Sequence, residues 1–102
     1  MGTKAIMNFL DGKDKIQLYR GHDSFPDVVE KEIKKAIKDF YPENEPFLLA
    51  SRFLGINFEK KSIWGNYEIK PAGIGGGEEY TYNIWWDSKD KVYKFETIDN
   101  YS

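Results

Sequence analysis

The sequence predicts an α+β fold, an antiparallel sheet of about five strands in the order β-β-α-α-β-β-β with two helices packed on one face. Three features predict it. An Asp-Gly pair at Asp11-Gly12 lies between two runs of alternating apolar residues, the mark of a hairpin. Apolar residues recur at helical spacing across 27–41, and strict alternation returns from Glu79 to Trp86.

In the first hairpin, closure at Asp11 and Asp14 pairs Phe9 with Ile16, Met7 with Leu18 and Ala5 with Arg20 on one face. Asn8 and Gln17 meet on the other. Gly21 to Pro26 breaks the second strand, and Asp23 or Ser24 is expected to cap the helix that follows, with Pro26 in its first turn and Phe25 packed beneath. That helix is expected from Asp27 to Tyr41, with Val29, Ile33, Ile37 and Phe40 toward the sheet and Glu30, Lys31, Lys34, Lys35 and Lys38 in water.

Pro42 to Pro46 reads as a linker, and Phe47 to Leu54 as a short buried helix stopped by Gly55. Asn57 to Trp64 reads as irregular or a brief strand. A short strand, Tyr67 to Ile69, runs into Pro71 and the glycine run of 73–77, then into the strand Glu79 to Trp86. With Asp87 to Asp90 as the next loop, Ile84 lies opposite Tyr93, Tyr82 opposite Phe95 and Tyr80 opposite Thr97, which leaves Trp85 on the other face.

The length of 102 residues fits a single domain over 1–102. With no Cys and one His, disulfides, thiolate zinc sites and multi-imidazole metal sites are excluded, and no metal or cofactor is expected. Neither a signal sequence nor an apolar run near eighteen residues occurs, so a cytoplasmic protein with no membrane partner is expected. A net charge of −2 with both signs dispersed disfavours nucleic-acid polymers as partners. Aromatic residues make up 17%, a high share that suits either a compact core in a small domain or a contact surface.

The densest chemistry is the segment 19–26, where Tyr19, Arg20, His22 and Asp23 gather at a strand-to-helix junction. A hydrolytic reading makes His22 a base beside Asp23 with Ser24 as nucleophile, but adjacent residues rarely converge as a triad must. The favoured reading sets Arg20 beside a helix N-terminus as a site for an anionic group, with Tyr19 or Trp85 covering a base or a partner side chain. On that reading Arg20→Ala weakens binding and leaves the fold intact; the plainer reading ties Arg20 to Asp23 or Asp27. The glycine run lacks the Lys-Ser/Thr of a phosphate loop and precedes a strand.

Three segments, Met1-Gly2-Thr3-Lys4-Ala5, Tyr19-Arg20-Gly21-His22-Asp23-Ser24-Phe25-Pro26 and Glu79-Tyr80-Thr81-Tyr82-Asn83-Ile84, resemble a family of small uncharacterised proteins of phages, archaeal viruses and prophages. The middle segment of that family reads Tyr-Arg-x-x-Asp-Gly-Tyr-Pro; Ser24 and Phe25 depart from it. The resemblance implies a small non-enzymatic viral protein that inhibits host defence, either by binding a host protein or by sequestering a nucleotide-like signal. The binding residues expected are Tyr19, Arg20, His22, Asp23 and Trp85, with no catalytic residue, and assembly with identical copies stays open. The alternatives are a small phosphodiesterase or nuclease using Arg20, His22 and Asp23, and a nucleic-acid-binding sheet protein.

Overall fold

The computed structural model describes residues 3–58, 67–71 and 77–101. Most of the stretch from Asn57 to Trp64, expected as irregular or a brief strand, and all but Gly77 of the glycine run, lie outside the described residues. The fold is α+β. Strands β1 (Ala5–Asp11) and β2 (Asp14–Arg20) precede helices α1 (Pro26–Ile37) and α2 (Pro46–Ile56), and β3 (Glu68–Ile69), β4 (Tyr80–Asp87) and β5 (Val92–Asp99) follow.

The first hairpin has the expected register, with Ala5 opposite Arg20, Met7 opposite Leu18, Asn8 opposite Gln17 and Phe9 opposite Ile16. Gly12 turns the chain at φ +60, which an L side chain adopts only with strain. The second hairpin slips by two residues from expectation, so that Ile84 meets Phe95, Tyr82 meets Thr97 and Trp86 meets Tyr93. Its loop starts after Asp87, whose carboxylate accepts the amides of Lys89 and Asp90 and so serves as the last paired residue. A slip of two preserves the faces, and Trp85 stays opposite the helical side.

The sheet order is β3-β2-β1-β4-β5. Its strands are antiparallel but for the central pair, where β1 and β4 run parallel with Met7 beside Tyr82 and Phe9 beside Ile84. This corrects the wholly antiparallel expectation. A two-residue period records which side chains share a face and carries no information on the direction of the neighbouring strand.

Met7, Phe9, Leu18, Tyr82 and Ile84 from the sheet meet Val29, Ile33 and Ala36 of α1 and Leu49, Ala50 and Phe53 of α2 in one buried cluster. Phe53 is its centre, with its ring 5.8 Å from that of Phe9 and 4.7 Å from that of Tyr67. α1 stops at Ile37, four residues before the expected end, because Lys38 turns extended and Asp39 enters the left-handed region at φ +62. Phe40 therefore lies beyond the helix, half-buried and edge-on to Tyr93 at 5.5 Å. α2 extends in the opposite sense, running through Gly55 to Ile56, and the side chain of Asn57 donates to the Phe53 carbonyl as the helix ends. Arg52 of α2 donates from Nε to the Ala36 carbonyl at 2.9 Å and from Nη2 to that of Lys38 at 3.2 Å, so one guanidinium closes the C-terminus of the other helix.

Candidate functional site

The junction between β2 and α1 is built differently from the capped helix end that the sequence suggests. Asp23 adopts φ +49, and this left-handed residue rotates the next side chain inward. Ser24 is fully buried, with its hydroxyl donating to the Arg20 carbonyl at 3.2 Å and its carbonyl accepting the Tyr82 hydroxyl at 2.7 Å. Its amide donates to Thr3 Oγ1. The N-cap is Phe25, and no side chain caps α1, so the expected Asp23 or Ser24 cap is not formed. Pro26 at the first position has no N–H to satisfy, and Asp27 complements the positive end of the helix dipole. Phe25 is half-exposed and meets Tyr80 edge-on instead of lying under the helix.

Arg20 points to the helix-covered side and is 5% exposed. Its Nε donates to the carbonyls of His22 at 2.8 Å and Asp23 at 3.2 Å, and its Nη1 reaches Glu32 of α1 at 3.1 Å. The guanidinium carbon lies 5.0 Å from the centre of the Tyr67 ring, whose hydroxyl donates to the same Glu32 oxygen at 2.6 Å. The ion pair thus runs to Glu32, beyond both of the carboxylates that the sequence offered as partners, Asp23 and Asp27. Tyr82, Ser24, Arg20, Glu32 and Tyr67 form one polar chain from sheet to helix, buried at Tyr82, Ser24 and Arg20 and partly buried at Glu32 and Tyr67. Burial is the main cause that raises the hydroxyl pKa of both Tyr67 and Tyr82, with Glu32 adding to the first and Glu30 to the second.

The five residues expected to form one site are therefore divided. Arg20 is enclosed, His22 and Asp23 are exposed at the junction, and Tyr19 and Trp85 lie on the sheet face opposite the helices. That face carries three rows of side chains across the strands. Tyr19, Ile6, Thr81 and Ile98 form the first, and Lys15, Leu10, Trp85 and Lys94 contribute to the third.

Between them runs a polar row the sequence reading only half found. Gln17, Asn8, Asn83 and Glu96 lie side by side on four consecutive strands. Asn83 donates from Nδ2 to Glu96 Oε1 at 2.9 Å and accepts Asn8 Nδ2 at 3.0 Å. An ionised carboxylate only accepts, so Glu96 fixes the orientation of Asn83, which in turn fixes that of Asn8. The chain of donors ends on Asn8 Oδ1, a buried acceptor with no hydrogen-bond partner among the described residues. The Asn8–Gln17 pair is visible in the first hairpin, but Asn83 and Glu96 join it only through the parallel β1–β4 pairing. At the margin, the Lys70 ammonium sits 4.3 Å from the centre of the Tyr19 ring, and the Pro71 carbonyl accepts Gln17 Nε2 at 3.4 Å.

Two clefts of about 310 Å³ each lie elsewhere. One runs beneath the end of α1, where Phe40, Tyr41, Trp86 and Tyr93 supply four rings beside Glu43 and Lys91. Tyr93 is fixed there by donating to the Pro42 carbonyl and accepting the Glu45 amide. The other lies between the end of α2 and β3, lined by Leu54, Asn57, Phe58, Tyr67, Glu68 and Ile69. Among the described residues no cluster of His, Cys, Asp or Glu is arranged to hold a metal ion, and no helix is long and apolar enough to cross a membrane. No protein-family model matches the chain, and no match is found among the curated proteins or the solved structures.

Proposed function

We propose that this chain is a small non-enzymatic binding protein of a phage or prophage, which inhibits host defence by covering a host protein with its open sheet face. The observation that supports this most is the arrangement of Tyr19 and Trp85 on either side of the Gln17–Asn8–Asn83–Glu96 row. Aromatic rings around an orientation-fixed polar centre are what protein interfaces select, since the rings bury area at low entropic cost and the accessible end of the row, Asn83 and Glu96, rejects mismatched partners while Gln17 and Asn8 lie buried. The face is broad, whereas small-molecule sites are concave, and this favours a macromolecular partner. Arg20 supports the face indirectly by holding the end of β2 that presents Tyr19.

A second reading rests on the cleft of four rings, whose shape suits a flat ligand, with Lys91 as the cation for an anionic group beside Glu43, and so on the sequestering of a nucleotide-like signal. Expression in defence-bearing hosts under phage challenge tests the two together. The first reading expects protection of the phage that is lost in Trp85→Asp and kept in Lys91→Ala. The reverse pattern favours the second reading, and no protection of phage in any defence-bearing host contradicts both.

A further inference from the structure

β5 ends the sheet, and among the described residues no strand pairs with its outer edge. Eight consecutive residues, Val92 to Asp99, pair with β4 without a bulge, and none is Pro. Soluble proteins usually interrupt such an edge, because its unpaired amides and carbonyls template another strand. The Asn100 amide donates to the Glu79 carbonyl at 2.9 Å, which makes this a hydrogen-bonded pair of the antiparallel ladder. Alternation then directs the backbone groups of residues 92, 94, 96 and 98 toward β4 and those of Tyr93, Phe95 and Thr97 outward. No described residue bonds those three amides.

We infer that β5 pairs with β5 of a second copy, antiparallel and centred on Phe95. Only odd residues can exchange outward bonds, so the registers open to a two-fold pair are few. Centring on residue 94 sets Lys94 against Lys94, and centring on 96 sets Glu96 against Glu96. Both place like charges directly opposite. Centring on Phe95 sets Lys94 against Glu96 of the second copy on both sides of the axis, and also sets Val92 against Ile98. These two apolar side chains are 45% and 42% exposed in the single chain, and each is three residues from the axis. The backbone bonds fall on Tyr93 with Thr97 and on Phe95 with itself. The pairing makes one ten-stranded sheet with both helical layers on one side and both open faces on the other. It doubles the open face and does not depend on what that face binds.

The chain has no Cys, so introduced cysteines report the register directly. Lys94 and Glu96 occupy a pair without backbone bonds, where Cβ atoms approach to about 4.5 Å and a disulfide fits. Oxidising an equimolar mixture of Lys94→Cys and Glu96→Cys chains is expected to give a cross-linked dimer containing one of each, while neither variant cross-links alone. Sedimentation of the wild-type chain is expected to show a concentration-dependent dimer, with protection of the Tyr93, Phe95 and Thr97 amides rising as the dimer forms. Cross-linking of Lys94→Cys by itself would overturn the register. A wild-type chain that stays monomeric up to millimolar concentration, with those three amides exchanging freely, would overturn the pairing.

Discussion

Arg20 holds a charge where water scarcely reaches, and every contact it makes is internal: two backbone carbonyls, one carboxylate and one ring. Removing it leaves Glu32 partly buried without its cation and leaves the turn at Asp23 untied. Arg20→Ala is therefore expected to cost about 3–5 kcal/mol, the range for breaking a buried pair from one side. Chemical denaturation checks this, and an unchanged midpoint would show that the guanidinium is dispensable to the fold. The sequence placed Arg20 on the helical side correctly, opposite Ala5, yet assigned its charge to a ligand. The partner that claims it, Glu32, stands twelve residues away on a helix whose distance from β2 no local pattern encodes. Ser24 misled for a related reason, since the left-handed turn at Asp23 decides whether its hydroxyl caps a helix or closes a strand end.

Among the elements, the Asp-Gly hairpin was legible to the residue, because turn chemistry and alternation fix one register together. The helix ends were not. α1 ends on a tertiary partner, the guanidinium of Arg52, and α2 runs on through Gly55 to Ile56, where the Asn57 side chain donates to the Phe53 carbonyl. Phe40 shows the consequence, as a residue at perfect helical spacing that lies outside the helix and is only half-buried. Phe53→Ala is expected to cost about 3–5 kcal/mol, as for emptying a large core site, and Phe40→Ala clearly less. Equal losses in thermal denaturation would return Phe40 to the centre of the core.

At the scale of the whole molecule, strand direction and strand order were the hidden quantities, and with them the polar row. Asn8 and Asn83 are 75 residues apart and meet only because β4 enters the sheet parallel to β1. The same buried architecture sets a response to alkali. Tyr67, Tyr82 and Tyr93 are all raised above their ordinary value of 10.0, first by burial. The folded chain thus holds these protons more tightly than the unfolded chain. Stability from this source is complete below about pH 10 and falls as the pH rises past it. Titration of tyrosinate absorbance is expected to show these three phenols ionising together with loss of ellipticity.

On the proposed function, the open sheet face binds the partner and the β2–α1 junction is structural. Affinity purification under phage challenge supplies the host protein, and calorimetry of that protein against two double variants is the direct test. Tyr19→Ala/Trp85→Ala is expected to weaken binding by more than tenfold, about 1.4 kcal/mol, with the fold retained, while His22→Ala/Asp23→Ala binds as the wild type does. Full binding by the first variant together with loss in the second would contradict the claim and return the site to the junction.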